Sequence, residues 1–348
     1  MKVAIIGGGF GLRVQAPIIQ SYAQMNLVAV STMHRHQIPD EISNDVSIRH
    51  YTDWIEMLDK ESLDLVFVSS LPTFHYEMVK HAIEQGIHVI CEKPFTINKL
   101  QAKELLHLSE QYHAKVLIDF EWRYLPIRQK VKDLIRSHEL GELIHLEYHI
   151  STPQYQHLQS NKRGWMGEKH HFGGMLGAIG THMIDCLRWL SEDEMADISG
   201  FVHTHVPEGA EEQRDADDAF FIHGRMKRLA TFSMQFISGI HHGFGSSLKI
   251  FGNQGTLTLH NDEKLCLGKA NESLTEIKVP SLHDEDHRLS LEAHAYYQAF
   301  FPFLEKAYEY MVHSKTDKDI PTIYDAYANQ LVIDPFLSID SDEQIPLR

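Results

Sequence analysis

The chain has 348 residues, which predicts two domains, and its 48 acidic against 32 basic side chains give a formal net charge of −16 at pH 7. Hydrophobic residues make up 43% of the sequence and charged residues 23%, so disordered, collagen-like and coiled-coil classes are excluded. The apolar runs are too short for a membrane span or a signal peptide. The acidic balance disfavours nucleic acid and anionic membranes as partners.

The sequence contains 25 histidines and three cysteines, and neither set predicts a metal site. Cys91, Cys186 and Cys266 are far apart and odd in number, which argues against a disulfide framework and indicates thiols in a reducing compartment. On a regular helix or strand, the adjacent histidines at 170–171 and 241–242 would point in different directions, and the sequence has no His-Glu-x-x-His motif. We therefore predict no bound metal and a cytoplasmic location.

The first 120 residues alternate short apolar runs with helical patterns. Helical segments begin near Thr73 and Asn98, which suit N-caps, and Gly86 suits the end of the first segment. The apolar runs lack polar alternation, which is typical of strands buried on both faces. The alternation predicts an α/β fold with a doubly wound parallel sheet. The predicted strands are residues 2–6, 27–30, 64–68, 87–91 and 115–118.

The pattern then changes to strands with one apolar face. Residues 144–150 and 230–236 alternate apolar and polar side chains, and a turn at 252–255 predicts a hairpin. A helix near 179–190 interrupts these strands. Two late helical stretches follow, with Pro302 beginning a new segment.

We assign residues 1–122 to a domain built on the doubly wound parallel sheet and residues 123–348 to an α+β domain with an open, mostly antiparallel sheet. Whether the late helices pack back on the first domain is left open. One face of the second sheet must be covered by helices. If the other face is apolar, it would be buried against a partner subunit, which predicts a homodimer or homotetramer.

A glycine-rich turn follows the first strand and precedes the first helix. Gly7 permits the tight turn, Gly9 lets the backbone approach a pyrophosphate, and the helix N-terminus offers free N–H groups. Leu12 occupies the position of the third glycine in a dinucleotide fingerprint, and the nearest glycine, Gly11, lies one residue before it. The alternative is a glycine turn with a purely structural role. The position inside a βαβ pattern favours dinucleotide binding, with Phe10 also in the turn.

The end of the second predicted strand indicates which dinucleotide is bound. NAD sites usually place Asp or Glu there to hold the ribose 2′-hydroxyl, whereas this chain has Ser31 and Thr32, with Arg35 close behind. Hydroxyls and a guanidinium suit a 2′-phosphate, and the alternative is that Arg35 is a surface residue. We therefore predict that NADP(H) is favoured over NAD(H).

Polar residues follow two further strands of the predicted sheet. Leu71, Pro72 and His75 come after the third strand, and Glu92 and Lys93 come after the fourth. Ligands of open α/β sheets bind at the carboxyl ends of the strands, so both segments are predicted to contact the cofactor. A lysine held between a buried strand and a proline suits proton transfer, and the alternative is a solvated lysine in a turn.

Several motifs together resemble the Gfo/Idh/MocA (glucose-fructose oxidoreductase/inositol dehydrogenase) family. They are the N-terminal glycine turn, Pro-Thr-Phe-His at 72–75, Glu-Lys-Pro at 92–94, the segment at 173–185 with its Gly-Thr-His-x-x-Asp, and Tyr-Asp-Ala at 324–326. The resemblance covers nearly the whole chain. It implies a Rossmann domain followed by an α/β domain with an open mixed sheet, in agreement with the strand pattern.

The resemblance also implies catalytic roles for two residues. In relatives the lysine at the position of Lys93 lies near the nicotinamide and the reacting carbon, and the histidine at the position of His182 contacts the substrate and exchanges a proton. The aspartate that usually stands four residues before that histidine is Ala178 here, which puts an Asp–His–Lys triad in doubt. Asp185 follows His182 on the same helix face and is a candidate to orient it, with a structural role as the alternative.

The polar and aromatic stretch at 152–172 is a candidate specificity loop. Candidates for substrate contact are Tyr155, Arg163, Trp165 and Asp185, together with Arg123 at the domain junction. The alternative for the loop is that it packs at a contact between subunits. The sequence predicts an NAD(P)-dependent oxidoreductase that transfers a hydride between the nicotinamide and a sugar, polyol or related cyclic alcohol or ketone. The alternatives are a glycosidase-like relative that retains its NAD, and a non-catalytic cofactor-binding regulator.

Overall fold

The computed structural model describes residues 1–33, 38–43, 45–280 and 289–337. The chain divides into two compact units, of which the first is 1–125 with 281–330 and the second is 126–280 with 331–348. Among the described residues, none of the helices combines the length and hydropathy needed to cross a bilayer.

The elements of the first 125 residues alternate strand and helix. The strands are β1 (Lys2–Ile6), β2 (Asn26–Ser31), β3 (Arg49–Tyr51), β4 (Leu65–Val68), β5 (His88–Cys91) and β6 (Val116–Ile118). The helices are α1 (Ala16–Ser21), α2 (Asp40–Ser43), α3 (Trp54–Lys60), α4 (Pro72–Glu84) and α5 (Lys99–Tyr112), with short helical turns at Gly11–Gln15 and Glu121–Tyr124.

The rest of the chain is dominated by strands until two late helices. Its helices are α6 (Pro126–Arg136), α7 (Tyr155–Ser160), α8 (Thr181–Ser191), α9 (Leu291–His313) and α10 (Ile323–Leu337), with short turns at Gly164–Gly167, Lys169–His171 and Leu176–Gly180. The longer strands are β7 (Leu143–Ser151), β8 (Met195–His203), β11 (Ala219–Met226), β12 (Thr231–Ile237), β13 (Gly245–Gly252), β14 (Gly255–His260) and β15 (Lys264–Lys269). The short strands are β9 (Glu208–Gly209), β10 (Glu212–Gln213) and β16 (Thr275–Ile277).

The sheet of the first unit is parallel, in the order β3-β2-β1-β4-β5-β6. Strand β1 shows why both faces are covered, because Val3 and Ile5 belong to one hydrophobic core and Ala4 and Ile6 to the other. Helices α1 and α9 contribute to the first core, and α3, α4 and α5 to the second. The predicted doubly wound parallel sheet is confirmed.

The helix ends of the first unit follow local capping chemistry. Asn98 accepts hydrogen bonds from the backbone N–H groups of Leu100 and Gln101, both at 3.0 Å, which confirms it as the N-cap of α5. The prediction that Thr73 caps α4 is wrong, because Pro72 occupies the first turn and its fixed φ begins the helix one residue earlier. Gly86 ends α4 with a φ of +75°, as predicted.

Helix α9 runs through Pro302, so the prediction that this proline begins a new segment is wrong. A proline inside a helix removes one backbone hydrogen bond. Phe300 and Phe303 on either side of it are fully buried in the first hydrophobic core. Burial of these two rings offsets the cost of the proline, since each ring contributes about 1.5–3 kcal/mol and an interior proline costs about 3 kcal/mol.

The main sheet of the second unit has eight strands in the order β16-β15-β14-β13-β7-β12-β11-β8. All neighbours are antiparallel except β7 and β12, which run parallel. Leu146, Tyr148 and Ile150 on β7 are buried, and α8 packs on this strand. The predicted mixed, mostly antiparallel sheet is confirmed.

The opposite face of this sheet mixes aromatic and polar side chains. Phe201, Phe221, Gln235 and His149 are in register across β8, β11, β12 and β7, and Phe201 is 58% exposed within the described structure. The rings of Phe201 and Phe221 lie 5.2 Å apart. This stripe is therefore less apolar than a buried sheet face, and an exposed phenylalanine stands at one end.

Candidate active site

The glycine-rich turn brings the start of the first helix against the sheet. Gly7 has a φ of +145°, and a Cβ at this position would lie 2.2 Å from the Ser69 carbonyl oxygen. Its backbone N–H donates to the carbonyl of Ser31 at 2.8 Å. A side chain at residue 7 is therefore excluded both by its backbone conformation and by the neighbouring strand end.

Gly9 and Gly11 meet the other two requirements of a dinucleotide-binding turn, which are an exposed backbone and close packing of the helix on the strand. A Cβ at Gly9 would meet nothing within 4 Å, so this stretch of backbone faces open space. A Cβ at Gly11 would lie 2.8 Å from Cγ2 of Ile5, so Gly11 provides the close helix–strand packing that was expected at residue 12. Phe10 packs edge-to-face on Tyr296, with ring centroids 5.0 Å apart. This cradle fits a dinucleotide pyrophosphate, because it offers exposed backbone at the start of a helix.

The residues predicted to recognise the ribose lie at the end of β2. Ser31 is fully buried, and within the described residues its Oγ makes no hydrogen bond. Oγ1 of Thr32 lies 2.7 Å from Nε2 of His50. Both hydroxyls therefore face the protein interior, and Arg35 lies outside the described residues.

A polar network joins the ends of three neighbouring strands behind the glycine turn. Nε2 of Gln15 donates to Oε1 of Glu92 at 3.0 Å and to Oδ2 of Asp119 at 2.8 Å. The hydroxyl of Ser69 donates to the Gln15 side-chain oxygen. Gln15 and Asp119 are each 1% exposed. The network therefore fixes the ends of β4, β5 and β6 to the first helix.

Two acidic groups share this network, and both hold their protons more tightly than usual. Burial raises the pKa of Glu92, although neighbouring Lys93 acts against this rise. Burial also raises the pKa of Asp119 well above its ordinary value, and repulsion from Glu92 and Glu121 adds to the rise. The carboxyls of Glu92 and Asp119 interact directly, so the pair keeps a shared proton to higher pH than two free carboxyl groups would.

Lys93 stands between this network and a second anchor. Its backbone N–H donates to Oε2 of Glu92 at 3.3 Å, and the peptide bond to Pro94 is cis. The fully buried ring of His75 has Nδ1 3.0 Å from the Pro94 carbonyl oxygen and Nε2 3.1 Å from that of Ser70. Burial lowers the pKa of His75, which favours the neutral ring. His75 was predicted to bind the cofactor, and in the structure its ring lies between the Lys93 turn and the end of β4.

Leu71 and Pro72 lie where the sequence predicted, at the start of α4 after β4. Leu71 is the N-cap residue in extended conformation, and Pro72 is the first residue of the helix. Leu71 is partly exposed at this edge, whereas Pro72 is buried. Gly7, Leu71, Glu92 and Lys93 thus lie at the carboxyl edge of one parallel sheet.

Arg123 was predicted to contact the substrate, and in the structure it forms hydrogen bonds within the first unit. Its guanidinium is buried and donates to Oδ1 of Asp325 at 2.8 Å and to the carbonyl of Asp319 at 3.1 Å. Oδ2 of Asp325 in turn accepts from the backbone N–H of Thr322. Because Nη1 and Nη2 both donate inside the first unit, Arg123 stabilises the approach to α10. This ion pair also gives Asp325, the central residue of the Tyr-Asp-Ala motif at 324–326, a structural role.

In the second unit, the predicted catalytic histidine lies at the beginning of α8. His182 is 4% exposed and Asp185 is 2% exposed, and both lie in the buried part of the helix. Ala178 lies in the turn just before α8, so this position carries no carboxylate. Asp185, three residues after His182, is buried on the same helix.

Asp217 fixes the chain entering this helix. Its Oδ2 accepts from the backbone N–H groups of Met175 at 3.0 Å and Leu176 at 2.8 Å. A Cβ at Gly174, where φ is +104°, would lie 2.1 Å from Oδ1 of Asp217, so only glycine fits there. Burial raises the pKa of Asp217 to about 6, against the lowering effect of the two N–H donors.

The residues predicted for substrate specificity occupy the segment before this helix. Tyr155 begins α7 and its ring lies 4.4 Å from that of His241. The backbone N–H of Arg163 donates to Glu212 at 2.8 Å, and its guanidinium contacts the sulfur of Met175 at 2.9 Å. Burial lowers the pKa of Arg163, with nearby Arg214 adding to this effect. Trp165 is half-buried in the turn Gly164–Gly167.

Four of the residues that build these sites were not predicted from the sequence. They are Gln15, Ser69, Asp119 and Asp217. Ser69 and Asp119 each follow a predicted strand directly, so the rule applied to Glu92 would also have selected them. Gln15 and Asp217 carry no comparable local signal.

Comparison with known proteins agrees with this architecture. Residues 1–120 match an oxidoreductase family with an NAD-binding Rossmann fold, and residues 128–258 match the GFO/IDH/MocA C-terminal domain. An uncharacterized oxidoreductase of Synechocystis sp. is 31% identical over 274 residues, which are 75% of this chain and 72% of that protein. Glucose-6-phosphate 3-dehydrogenase of Bacillus subtilis is 23% identical over 350 residues, covering 99% of this chain and 97% of that enzyme.

A solved structure shows the same fold at lower sequence identity. Levoglucosan dehydrogenase in complex with NADH and levoglucosan has a TM-score of 0.77 at 18% identity, covering 97% of this chain and 96% of that one. The two family matches span most of the chain, in the order that the sequence motifs predicted. The chain belongs to the Gfo/Idh/MocA family of NAD-binding oxidoreductases.

Proposed function

We propose that the protein transfers a hydride between NADP(H) or NAD(H) and the CH–OH carbon of a sugar, polyol or related cyclic alcohol, or the corresponding ketone. The observation that carries this proposal is the edge of the parallel sheet, where an open glycine turn and a firmly held lysine follow neighbouring strands. The bound dinucleotide would supply a nicotinamide ring that accepts or donates the hydride. Gly7, Gly9 and Gly11 would hold its pyrophosphate.

Lys93 is proposed to act on the reacting oxygen of the substrate. When an alcohol loses a hydride, its oxygen must also lose a proton, and a nearby ammonium group stabilises the developing negative charge. The Glu92 contact on one side of Lys93 and the His75 anchor on the other restrict its backbone. This restriction supports catalysis, because a preorganised charge needs little rearrangement during the reaction.

His182 is proposed to accept or relay the proton. Its burial at the start of α8 and the capping of the preceding turn by Asp217 hold the imidazole in a fixed place. Ala178 offers no carboxylate to orient the ring, so orientation must come from other groups on or near α8. Tyr155, Arg163 and Trp165 are proposed to select the substrate, with the half-buried Trp165 as a stacking surface for a sugar ring.

The proposed cofactor preference is NADP(H) over NAD(H). Residues 31–39 contain no Asp or Glu, so the end of β2 and the following residues lack the carboxylate that holds a ribose 2′-hydroxyl in NAD sites. This stretch contains Arg35 and two histidines, whose N–H groups suit a 2′-phosphate. The ratio of kcat/KM for NADPH and NADH tests the preference directly.

We further propose that two or four copies of the chain assemble through the second sheet. The stripe that contains Phe201 and Phe221 supports this arrangement, because burial of an exposed phenylalanine favours association. The three cysteines are free thiols, which supports a reducing compartment such as the cytoplasm. Sedimentation of wild type and Phe201→Asp tests the assembly, with a smaller species expected for the variant.

The substrate class is tested with a panel of free sugars, sugar phosphates, polyols, glycosides and anhydrosugars. Each compound is mixed with purified protein and NADP⁺ or NAD⁺, and the absorbance of the reduced nicotinamide is followed. The proposal predicts sustained cofactor reduction with at least one member. Glycoside cleavage without net reduction would instead indicate a glycosidase that retains its nicotinamide. Tight cofactor binding without any turnover would indicate a regulator.

A further inference from the structure

A histidine- and glutamate-bearing turn precedes the glycine segment of the second unit. Oε2 of Glu168 lies 3.4 Å from Nε2 of His170 and 3.2 Å from Nε2 of His171. The two imidazole rings are 4.0 Å apart, and all three ligand atoms lie within 4.8 Å of one another. These histidines lie on a tight turn, so the expectation for adjacent histidines on a regular helix or strand does not apply to them.

The two separations from Oε2 of Glu168 fit shared coordination of one metal ion. Zinc binds imidazole nitrogen and carboxylate oxygen at about 2.0–2.2 Å, which puts neighbouring ligand atoms of a tetrahedral site about 3.3–3.6 Å apart. The two contacts to Oε2 of Glu168 lie close to this range.

The backbone of the turn is fixed before any metal binds. The carbonyl oxygen of Glu168 accepts from the N–H groups of His171 and Gly173, both at 3.1 Å. The N–H of Lys169 donates to the Asp215 carboxylate at 2.7 Å. Phe172 follows in the left-handed region with a φ of +59° and is 3% exposed, so its buried ring anchors the turn.

The ligand set and its exposure indicate which metal would bind. The side chain of His170 is 65% exposed, and those of His171 and Glu168 are each 37% exposed, so water can reach the site and occupy the remaining coordination position. Two imidazoles with one carboxylate favour Zn²⁺ and similar divalent transition metals over Mg²⁺ and Ca²⁺, which prefer oxygen ligands.

We propose that Glu168, His170 and His171 bind one divalent transition metal ion of the Zn²⁺ type. The N–H of Glu168 also donates to the carbonyl of Trp165 at 3.1 Å. The bound ion would therefore fix the turn that carries Trp165, one of the residues proposed to contact the substrate. The metal site itself does not depend on the proposed dehydrogenase activity.

The test is a calorimetric titration of Zn²⁺ into untagged, metal-stripped, full-length protein. Wild type is expected to bind one ion in this site, and substitution with Co²⁺ is expected to give the visible absorption of a tetrahedral or five-coordinate centre. His170→Ala, His171→Ala and Glu168→Gln should each weaken binding by about tenfold or more. Circular dichroism checks that the variants remain folded.

The control removes two histidines elsewhere in the same unit. His241→Ala combined with His242→Ala deletes an adjacent pair outside the cluster and is expected to leave the affinity for Zn²⁺ unchanged. The proposal is overturned if wild type shows no saturable binding. It is also overturned if the three cluster variants bind as tightly as wild type. Because binding is measured without substrate or dinucleotide, these results are independent of whether the protein is a dehydrogenase.

Discussion

Replacing Asp119 with Asn tests the buried carboxyl pair behind Lys93. Asp119 is 1% exposed and interacts with Glu92, and burial raises its pKa well above the ordinary value. Asparagine keeps the shape, its oxygen can still accept from Gln15, and its NH₂ group can donate to Glu92 in place of the shared proton. The substitution therefore removes the titrating group with little change in packing.

The sign of the effect follows from proton linkage. The folded chain holds a proton on Asp119 to higher pH than the unfolded chain, whose aspartates titrate near a pKa of about 3.9. The stability that this retained proton contributes is complete below about pH 3.9, and it is lost as the pH rises toward the raised pKa of Asp119 in the folded state. Within that window, one proton changes the equilibrium constant for unfolding by up to about tenfold per pH unit.

The assay is urea unfolding of wild type, Asp119→Asn and a control at several values from about pH 5 to about pH 8. Asp64→Asn is a suitable control, because Asp64 is an exposed aspartate of the same unit. The free energy of unfolding of Asp119→Asn should increase relative to that of wild type as the pH rises, whereas Asp64→Asn should run parallel to wild type. Parallel curves for Asp119→Asn and wild type would refute the protonated pair.

Three further predictions concern the glycine turn, the catalytic residues and the buried arginine. Gly9→Ala should leave the free energy of unfolding nearly unchanged but abolish dinucleotide binding in calorimetry. Gly7→Ala should lower the free energy of unfolding, since its Cβ would lie 2.2 Å from a carbonyl oxygen. Equal destabilisation by the two substitutions would contradict these roles. Lys93→Ala and His182→Ala should each reduce kcat by about 10²–10⁴-fold with dinucleotide affinity retained, and near-wild-type turnover would remove either residue from the mechanism. Arg123→Ala should destabilise the protein by about 3–5 kcal/mol in urea unfolding, because it breaks a buried ion pair. A large rise in substrate KM without loss of stability would instead support the prediction that Arg123 contacts the substrate.

The parts of the fold that were predictable have a short-range signal. Buried parallel strands form continuous apolar runs, so five of the six strands of the first sheet were found, while the three-residue edge strand β3 (Arg49–Tyr51) has no such run. Alternation in β7 and β12 revealed a second sheet. It did not reveal that these two strands pair in parallel, because period-two alternation contains no information on direction.

The site was predicted where a motif is local and missed where partners are distant in sequence. Lys93 and the glycine turn stand in short recognisable segments. Gln15 contacts carboxyls 77 and 104 residues away, and Arg123 pairs with an aspartate 202 residues away. An arginine at a domain junction has the same sequence signature whether it binds a substrate or a buried carboxylate, so only the fold distinguishes the two.

The central claim is that the glycine turn binds a pyridine dinucleotide. Calorimetric titration of wild-type protein and Gly9→Ala with NADPH and with NADH tests this claim most directly. We predict saturable binding of one dinucleotide per chain to wild type, tighter for NADPH than for NADH, and no binding to the folded variant. Absence of binding to wild type with either dinucleotide, or unchanged affinity in Gly9→Ala, would contradict it.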